Sequence, residues 1–340
     1  MIEIDGSYGS GGGQILRTAT ALAAVTKKPC WVFNIRRGRD KPGLMPQHLL
    51  GIQALTKLCN GKLEGDSFGS EEIKFYPGEN YRNRISINIL TAGSITLVLQ
   101  SLIPPALFAL SPVKITFDGG ATDTFFSPTI DYFQYVFLKN LGKMDGKVEI
   151  NILKRGYYPE GGAKIEATIY PSKLGNLNLT ERGKLQKILV ISGASEFLKN
   201  KKVAERQLAG VREVLGKLKL PTEERVEYYD TRCPGSQICL IANFENTVFG
   251  VDNLGKLGKR AEDVGKEAAL ELLKEQKSEA CLDKYSADQI LPYLALAPKK
   301  SQITVSEITN HCKTNIWVIE KFLDGKFERN ENLINWVPKN

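Results

Sequence analysis

At 340 residues, 42% hydrophobic and 25% charged, the chain has the length for about two domains, each able to bury a core. A net charge of +8 favours polyanionic partners such as nucleotides or nucleic acid, with a solvated basic surface as the plainer alternative. Six cysteines without a CxxC pair give no disulfide framework, and only two histidines argue against a structural zinc site.

Met1–Asp5 alternates apolar and polar residues and predicts a first strand, not a signal peptide, because no basic start precedes an apolar run. Next comes GSYGSGGGQILR, from Gly6 to Arg17. A glycine-rich loop entering a helix offers backbone N–H groups to an anion. It is not a Walker loop, since no Gly-Lys-Ser/Thr follows, and Gln14 stands where a dinucleotide loop needs its third glycine. A tight packing turn is the plainer reading. Gln14 and Arg17 tilt the balance toward an anion site, being one helical turn apart and able to share a face.

A strand is predicted over Cys30–Ile35, followed by Arg36, Arg37, Arg39 and Lys41. If this strand pairs beside the first, the arginines and the glycine-rich loop reach one anion, and the planar guanidinium fork suits phosphate. A solvated basic loop is the alternative. Pro42-Gly43 sets the turn, and Gln47 and His48 open a helix predicted over Gln47–Cys59.

A strand over Arg84–Leu90 and a helix over Ser94–Ala109 come next. The apolar stretch Ser94–Leu110 is a poor membrane span because Gln100, Pro104 and Pro105 interrupt it. Composition changes near Arg182, from Gly- and Pro-rich to β-α-β-β-α: Ile188–Ser192, Val203–Leu218, Val226–Asp230, Gln237–Asn243 and Ala261–Gln276. This order predicts a small domain, 182–277, inserted into a larger one built from 1–181 and 278–340. Similar helix starts at Gly13–Ala23, Ala92–Leu107 and Asp288–Ala297 suggest a repeated βα unit.

Tyr285 and Asp288 lie in a further loop-to-helix entry. Asp288 reads as a helix cap or as a Mg²⁺ ligand against phosphates, and Tyr285 as a base-stacking or a packing ring. A strand over Gln302–Ile308 then leads to an amphipathic helix from about Thr314, with Ile316, Ile319 and Leu323 on its apolar side. His311 falls at that junction, where a helix N-terminus attracts phosphate and disfavours imidazolium, keeping a ring nitrogen available as a nucleophile. Without a Gly-x-Ser-x-Gly sequence, a serine hydrolase has little support.

Taken together, these segments resemble the RNA 3'-terminal phosphate cyclase family. The matching pieces are DGSYGSGGGQILR, IRRGRDKPGLMPQHL, TAGSITLVLQ, RGYYPEGG, FGVDNLGKLGKRAEDVG, SADQILPYLALA and NHCKTN, in one order along nearly the whole chain. The resemblance implies an α/β fold whose large domain holds three similar units, related to the C-terminal fold of translation initiation factor three, with a smaller α/β domain inserted. It implies conversion of an RNA 3'-phosphate to a 2',3'-cyclic phosphate using ATP and a divalent metal, Mg or Mn. RNA 3'-phosphate ends and ATP would be the partners, with no membrane and a cytoplasmic setting; the oligomeric state is left open, a homo-oligomer included.

By the same resemblance, His311 falls on the nucleophile that forms a covalent histidyl-AMP, in the family's His-x-x-Thr-Asn setting. Gln14, Arg17 and Gln100 fall on positions that hold ATP. Arg36, Arg39, Gln47 and His48 fall on positions for the RNA end or phosphate, without a settled division between the two sets. Asp288 falls on a metal-site position, Tyr285 and Pro128 on the adenine sandwich, and Phe249 beside the base. Two other readings stand next to this one. The first is a non-cyclising relative acting in ribosomal RNA maturation, a group that lacks the histidine kept here. The second is an enolpyruvyl-transferase-like enzyme, with a related repeat architecture and no use for RNA.

One departure concerns the metal. Family members commonly carry Glu where this chain has Ser10. A hydroxyl is a neutral and weaker Mg²⁺ ligand. The metal is then expected to rest on Asp288, water and ATP phosphates, with weaker or altered metal dependence. Ser10→Glu is expected to shift the metal titration of adenylylation, and an unchanged titration overturns the expectation.

Overall fold

The parallel pairing of β1 (Ile2–Asp5) with β2 (Cys30–Phe33), Ile4 opposite Val32, starts the fold in the computed structural model, which describes residues 1–9, 11–218 and 220–339. Ser10 lies outside the described residues. Parallel neighbours need a crossover, and α1 (Gly13–Thr26) supplies it, burying Ile15, Leu16, Ala19, Leu22 and Ala23. Positive φ at Asn34 and Arg36 ends β2 before the expected Ile35, since an extended ladder cannot continue through the left-handed region. After α2 (Pro46–Leu58), β3 (Lys62–Glu64) and β4 (Ile73–Tyr76) complete a sheet of order β1-β2-β4-β3.

The next sheet is built from β5 (Arg84–Ser94), α3 (Ile95–Leu107) and β6 (Val113–Ala121). A helical stretch follows, in which a wide-turn segment, Phe133–Phe137, joins α4 (Ile130–Tyr132) to α5 (Leu138–Gly142). Then come β7 (Val148–Lys154) and β8 (Lys164–Ile169), giving the order β5-β6-β8-β7. The Ser94 hydroxyl caps α3 by accepting from the Leu97 amide at 3.2 Å, and the helix runs through buried Pro104 and Pro105. After β9 (Asn178–Leu179), a further sheet has the order β11-β10-β12-β13. Its members are β10 (Leu185–Ser195), α6 (Val203–Leu215), β11 (Thr222–Tyr229), β12 (Ser236–Phe244), β13 (Val248–Leu254) and α7 (Ala261–Lys277). The chain ends with α8 (Lys284–Leu296), β14 (Ser301–Thr304), α9 (Asn310–Phe322), β15 (Gly325–Asn330) and β16 (Leu333–Pro338).

The fold is mixed α/β. The last sheet, β9-β14-β16-β15, has the connectivity of the first two: its opening pair is parallel and its remaining pairs are antiparallel. One large apolar core joins those three sheets through residues such as Leu22, Leu99, Ile115, Leu291 and Ile319. Ile188, Leu240, Val264 and Leu272 belong to a second core beneath β10–β13. Among the described residues, no helix is long and apolar enough to cross a membrane.

Where the wide-turn segment meets β10 and β12, Tyr132 and Val136 pack on Ile191 and Ile241. The same seam buries a charged knot. Arg155 donates to both oxygens of Asp131, at 2.6 and 2.9 Å, and to Asp123 Oδ2 at 3.3 Å. Burial works against the Arg155 charge, but Asp131 and Asp123 outweigh it and hold the guanidinium protonated. Such a pair is weak evidence for net stability, yet removing one partner strands the other charge.

Arg155→Ala should therefore lower stability by about 3–5 kcal/mol, read from urea or thermal midpoints. Lys62→Ala, which breaks the solvent-exposed pair with Glu64, should leave the same midpoints unchanged, because water screens such a pair.

Candidate active site

The Thr309 hydroxyl accepts from the Cys312 amide at 3.1 Å, so α9 begins at Asn310 and not near Thr314. β14 correspondingly stops at Thr304. His311 thus stands in the first turn of α9, its side chain 53% exposed. Asp288 comes to it from α8, with Oδ2 3.4 Å from His311 Nδ1. Asp288 is not the cap of that helix: Asp283 is, accepting from the Tyr285 and Ser286 amides at 2.9 and 2.8 Å. Burial raises the Asp288 carboxyl above its ordinary range, while His311 and Arg17 pull the other way. With Nδ1 toward this carboxylate, the neutral imidazole that carries its proton there keeps its lone pair on Nε2.

α1 closes the third side. Gln14 Nε2 donates to the His311 carbonyl at 3.3 Å, and Thr18 Oγ1 donates to Asn315 Oδ1 at 2.7 Å. Asn315 Nδ2 in turn donates to the Asp288 carbonyl at 2.8 Å. Burial lowers the Arg17 guanidinium to about 10, and Asp288 partly offsets this, so Arg17 stays cationic at neutral pH. The glycine-rich loop lies against α9: a Cβ on Gly9, whose φ is +56°, would come 2.5 Å from Thr314 Oγ1. Only glycine fits there.

These elements enclose a cavity of about 570 Å³ lined by Gln14, Arg17, Gln100, Pro128, Tyr285, Asp288 and His311, among others. That volume is of the size that holds a small organic ligand. Gln100 Nε2 donates to Gln289 Oε1 at 3.0 Å, and Tyr285 is half exposed at the wall. Gln289 and Asp252 also line the cavity and went unremarked in the sequence. Burial lifts Asp252 to about 6 while the Thr129 amide donates to it at 2.6 Å, and no local sequence pattern announces either residue.

Arg36, Arg39, Gln47 and His48 do not line this cavity. Gln47 and His48 border a small neighbouring hollow that they share with Arg17. Arg36 is turned onto its own loop, donating to the carbonyls of Lys41 at 2.7 Å and Gly43 at 3.2 Å. Arg39 is exposed on the same loop. His48 is buried beneath Gly13, where a Cβ would fall 2.1 Å from Nε2, and its Nδ1 accepts from the Met45 amide at 3.2 Å. Phe249, expected beside the base, is not among the residues lining the cavity. It is fully buried under β10–β13 and stacks on Phe244, because its alternation in β13 points the ring into that core.

Among the described residues, no group of three or more His, Cys, Asp or Glu is placed to hold a metal ion. Asp288 supplies one carboxylate. That fits an ion carried mainly by substrate phosphates and water, the usual habit of Mg²⁺. All six cysteines are buried thiols.

Comparison with known proteins adds the following. Residues 8–329 match the family described as RNA 3'-terminal phosphate cyclase. The RNA 3'-terminal phosphate cyclases of Pyrococcus abyssi and Pyrococcus furiosus are each 46% identical, over 96% of this chain and 95% of theirs. That of Thermococcus kodakarensis is 44% identical over 96% of this chain and 94% of its own. Among solved structures, the enolpyruvyl transferase NikO from Streptomyces tendae covers 99% of this chain and 81% of that one, at TM-score 0.30 and 9% identity, which decides nothing.

Burial, then the charges of Arg17 and Arg36, push His48 down to about 3, below its unfolded value near 6.5. A depressed histidine contributes stability that is complete above pH 6.5 and lost as pH falls toward 3. Between pH 6.5 and 5 the loss should be about 2 kcal/mol, at 1.36 kcal/mol per unit. Urea midpoints at pH 7 and pH 5 should show this difference in the native chain and a flatter response in His48→Gln.

Proposed function

Because this chain belongs to the RNA 3'-terminal phosphate cyclase family, we propose that it converts RNA 3'-phosphate ends to 2',3'-cyclic phosphates with ATP, through a covalent histidyl-AMP. The observation that carries the reading is the His311–Asp288 pair, 3.4 Å apart at the wall of a nucleotide-sized cavity. His311 Nε2 forms a bond to the α-phosphorus of ATP as the bond to pyrophosphate breaks. Asp288, at Nδ1, holds the ring's orientation and offsets the positive charge that develops on it, as a carboxylate does for a catalytic histidine in general. Arg17, beside both, meets negative charge on the transferred phosphorus.

An oxygen of the RNA 3'-phosphate then attacks the bound adenylyl group, which releases the histidine and gives an RNA-adenylate. The vicinal 2'-hydroxyl loses its proton and attacks the activated phosphorus, expelling AMP. Proximity drives this last step, since nucleophile and phosphorus share one ribose. Tyr285 and Pro128 are assigned to the adenine, being wall residues of the cavity. Arg36, Arg39, Gln47 and His48 are assigned to the RNA phosphate; of these, Gln47 and His48 border the small hollow that Arg17 shares. A divalent ion bound with ATP would rest on Asp288 and phosphate oxygens, neutralising charge on the leaving group.

The same reading takes 182–277 as an insertion within 1–181 and 278–340, and the larger part as three repeats of the kind seen in translation initiation factor three. The shared connectivity of three sheets and the separate core under β10–β13 support it. A non-cyclising role in ribosomal RNA maturation is disfavoured by the presence of His311, and enolpyruvyl transfer by a nucleophile it would not use.

With α-labelled ATP and Mg²⁺ or Mn²⁺, the native chain should take up label and His311→Ala none. Asp288→Asn should slow labelling by about 10²–10⁴-fold. Label on both the native chain and His311→Ala, or on neither, overturns the mechanism.

A further inference from the structure

An aromatic pair lies outside the cavity lining, with one ring backed by the main core. Tyr8, in the glycine-rich loop, stacks on Trp317 of α9 with ring centroids 4.1 Å apart and planes 12° from parallel. Tyr8 remains 43% exposed even so, while Trp317 rests partly on the main core. The stack therefore has a backed side at Trp317 and a solvent side at Tyr8.

Its surroundings are cationic. Lys313, Trp317 and Lys321 follow at i, i+4 and i+8 along α9 and so share one helix face. Lys321 Nζ lies 5.6 Å from the centre of the Trp317 ring, and both lysines are exposed. The acidic neighbour Glu320 is engaged by the Phe327 amide at 2.8 Å. The same helix carries His311 in its first turn, six residues before Trp317, which is about 9 Å along the axis at 1.5 Å per residue. A single strand stacked at about 3.4 Å per nucleotide covers that distance in a few residues.

We propose that the Tyr8–Trp317 stack, flanked by Lys313 and Lys321, binds a base of the RNA strand a few nucleotides before the 3'-phosphate engaged near His311. This rests on the RNA-end reading above and gives it a substrate class: a single-stranded 3' end, read by stacking and backbone charge and therefore tolerant of sequence. Exposed rings beside a cationic strip are the usual means of holding single strands without base-specific hydrogen bonds. ATP is not the occupant, because neither ring borders the nucleotide-sized cavity.

Tyr8→Leu, which keeps apolar bulk against Trp317, and Trp317→Phe, which keeps an aromatic ring, separate stacking from mere loop support. For a 3'-phosphorylated decanucleotide, Tyr8→Leu should raise KM by about tenfold or more with kcat little changed. Trp317→Phe should stay within about threefold of the native chain. For a 3'-phosphorylated dinucleotide, too short to reach the stack, the KM of Tyr8→Leu should match that of the native chain. Equal KM changes on both substrates, or a parallel fall in labelling from ATP without RNA, show that the pair only props the loop and overturn the proposal. Binding of the decanucleotide, followed by tryptophan fluorescence, tests the site independently of cyclisation. Weaker binding by Tyr8→Leu supports it, and equal binding overturns it. A native chain that binds the RNA and takes label but never cyclises it contradicts the functional reading alone.

Discussion

The site depends on one buried amide. Asn315 accepts from Thr18 on α1 and donates to the Asp288 carbonyl on α8, while its own helix carries His311. Three helices that are distant in sequence are thereby held in one register. Gln14 adds a second tie from α1, to the His311 carbonyl. An apolar contact could bring the helices together but leave them free to slide. Hydrogen bonds between buried partners have fixed donors and acceptors, so a slipped arrangement leaves polar groups unpaired at a cost of about 1–3 kcal/mol each. The 3.4 Å separation of His311 and Asp288 follows from that registry.

Backbone space is the complementary constraint. The loop before α1 can lie against α9 only because Gly9 lacks a side chain that Thr314 would obstruct. Gly13 plays the same part toward α2, with His48 in the place its Cβ would take. The loop and the start of α1 are thus seated against α9 and α2, with Tyr8 left facing solvent. The close approach at Gly9 and Gly13 bears out the packing reading of the glycines and leaves room for the anion-binding one beside it.

Much of this was legible where a short-range pattern carried it. The alternation in β1 and the amphipathic α9 were read from local periodicity, and both are present with shifted ends, whereas the order read as β-α-β-β-α after Arg182 lacks one strand, since β13 stands between β12 and α7. The shifts have local causes: positive φ at Asn34 and Arg36 cut β2 short, and the Thr309 cap started α9 early. What was not legible depends on pairing across the fold. Nothing near Asp288 says that Asp283 takes the cap and leaves Asp288 for His311, and nothing near Arg36 says that its guanidinium turns back onto Lys41 and Gly43. Phe249 looked like a base neighbour through its segment, but strand alternation decides which side of β13 its ring takes.

The charge pattern explains why His48 suits a place among arginines. A histidine near Arg17 and Arg36 with an ordinary pKa would gain a proton as pH fell and make the positive field vary across the physiological range. Burial, with those same arginines, keeps His48 neutral there. Its Nδ1 is occupied as an acceptor for the Met45 amide, so the ring keeps its tautomer as well as its charge. Arg17 is the opposite case: burial costs it some basicity, but a group that starts near 12.5 stays charged at about 10. The permanent charge therefore sits on arginine and the fixed shape on histidine. A phosphate approaching this wall meets a field set by guanidinium groups and nearly independent of pH above the histidine's depressed range.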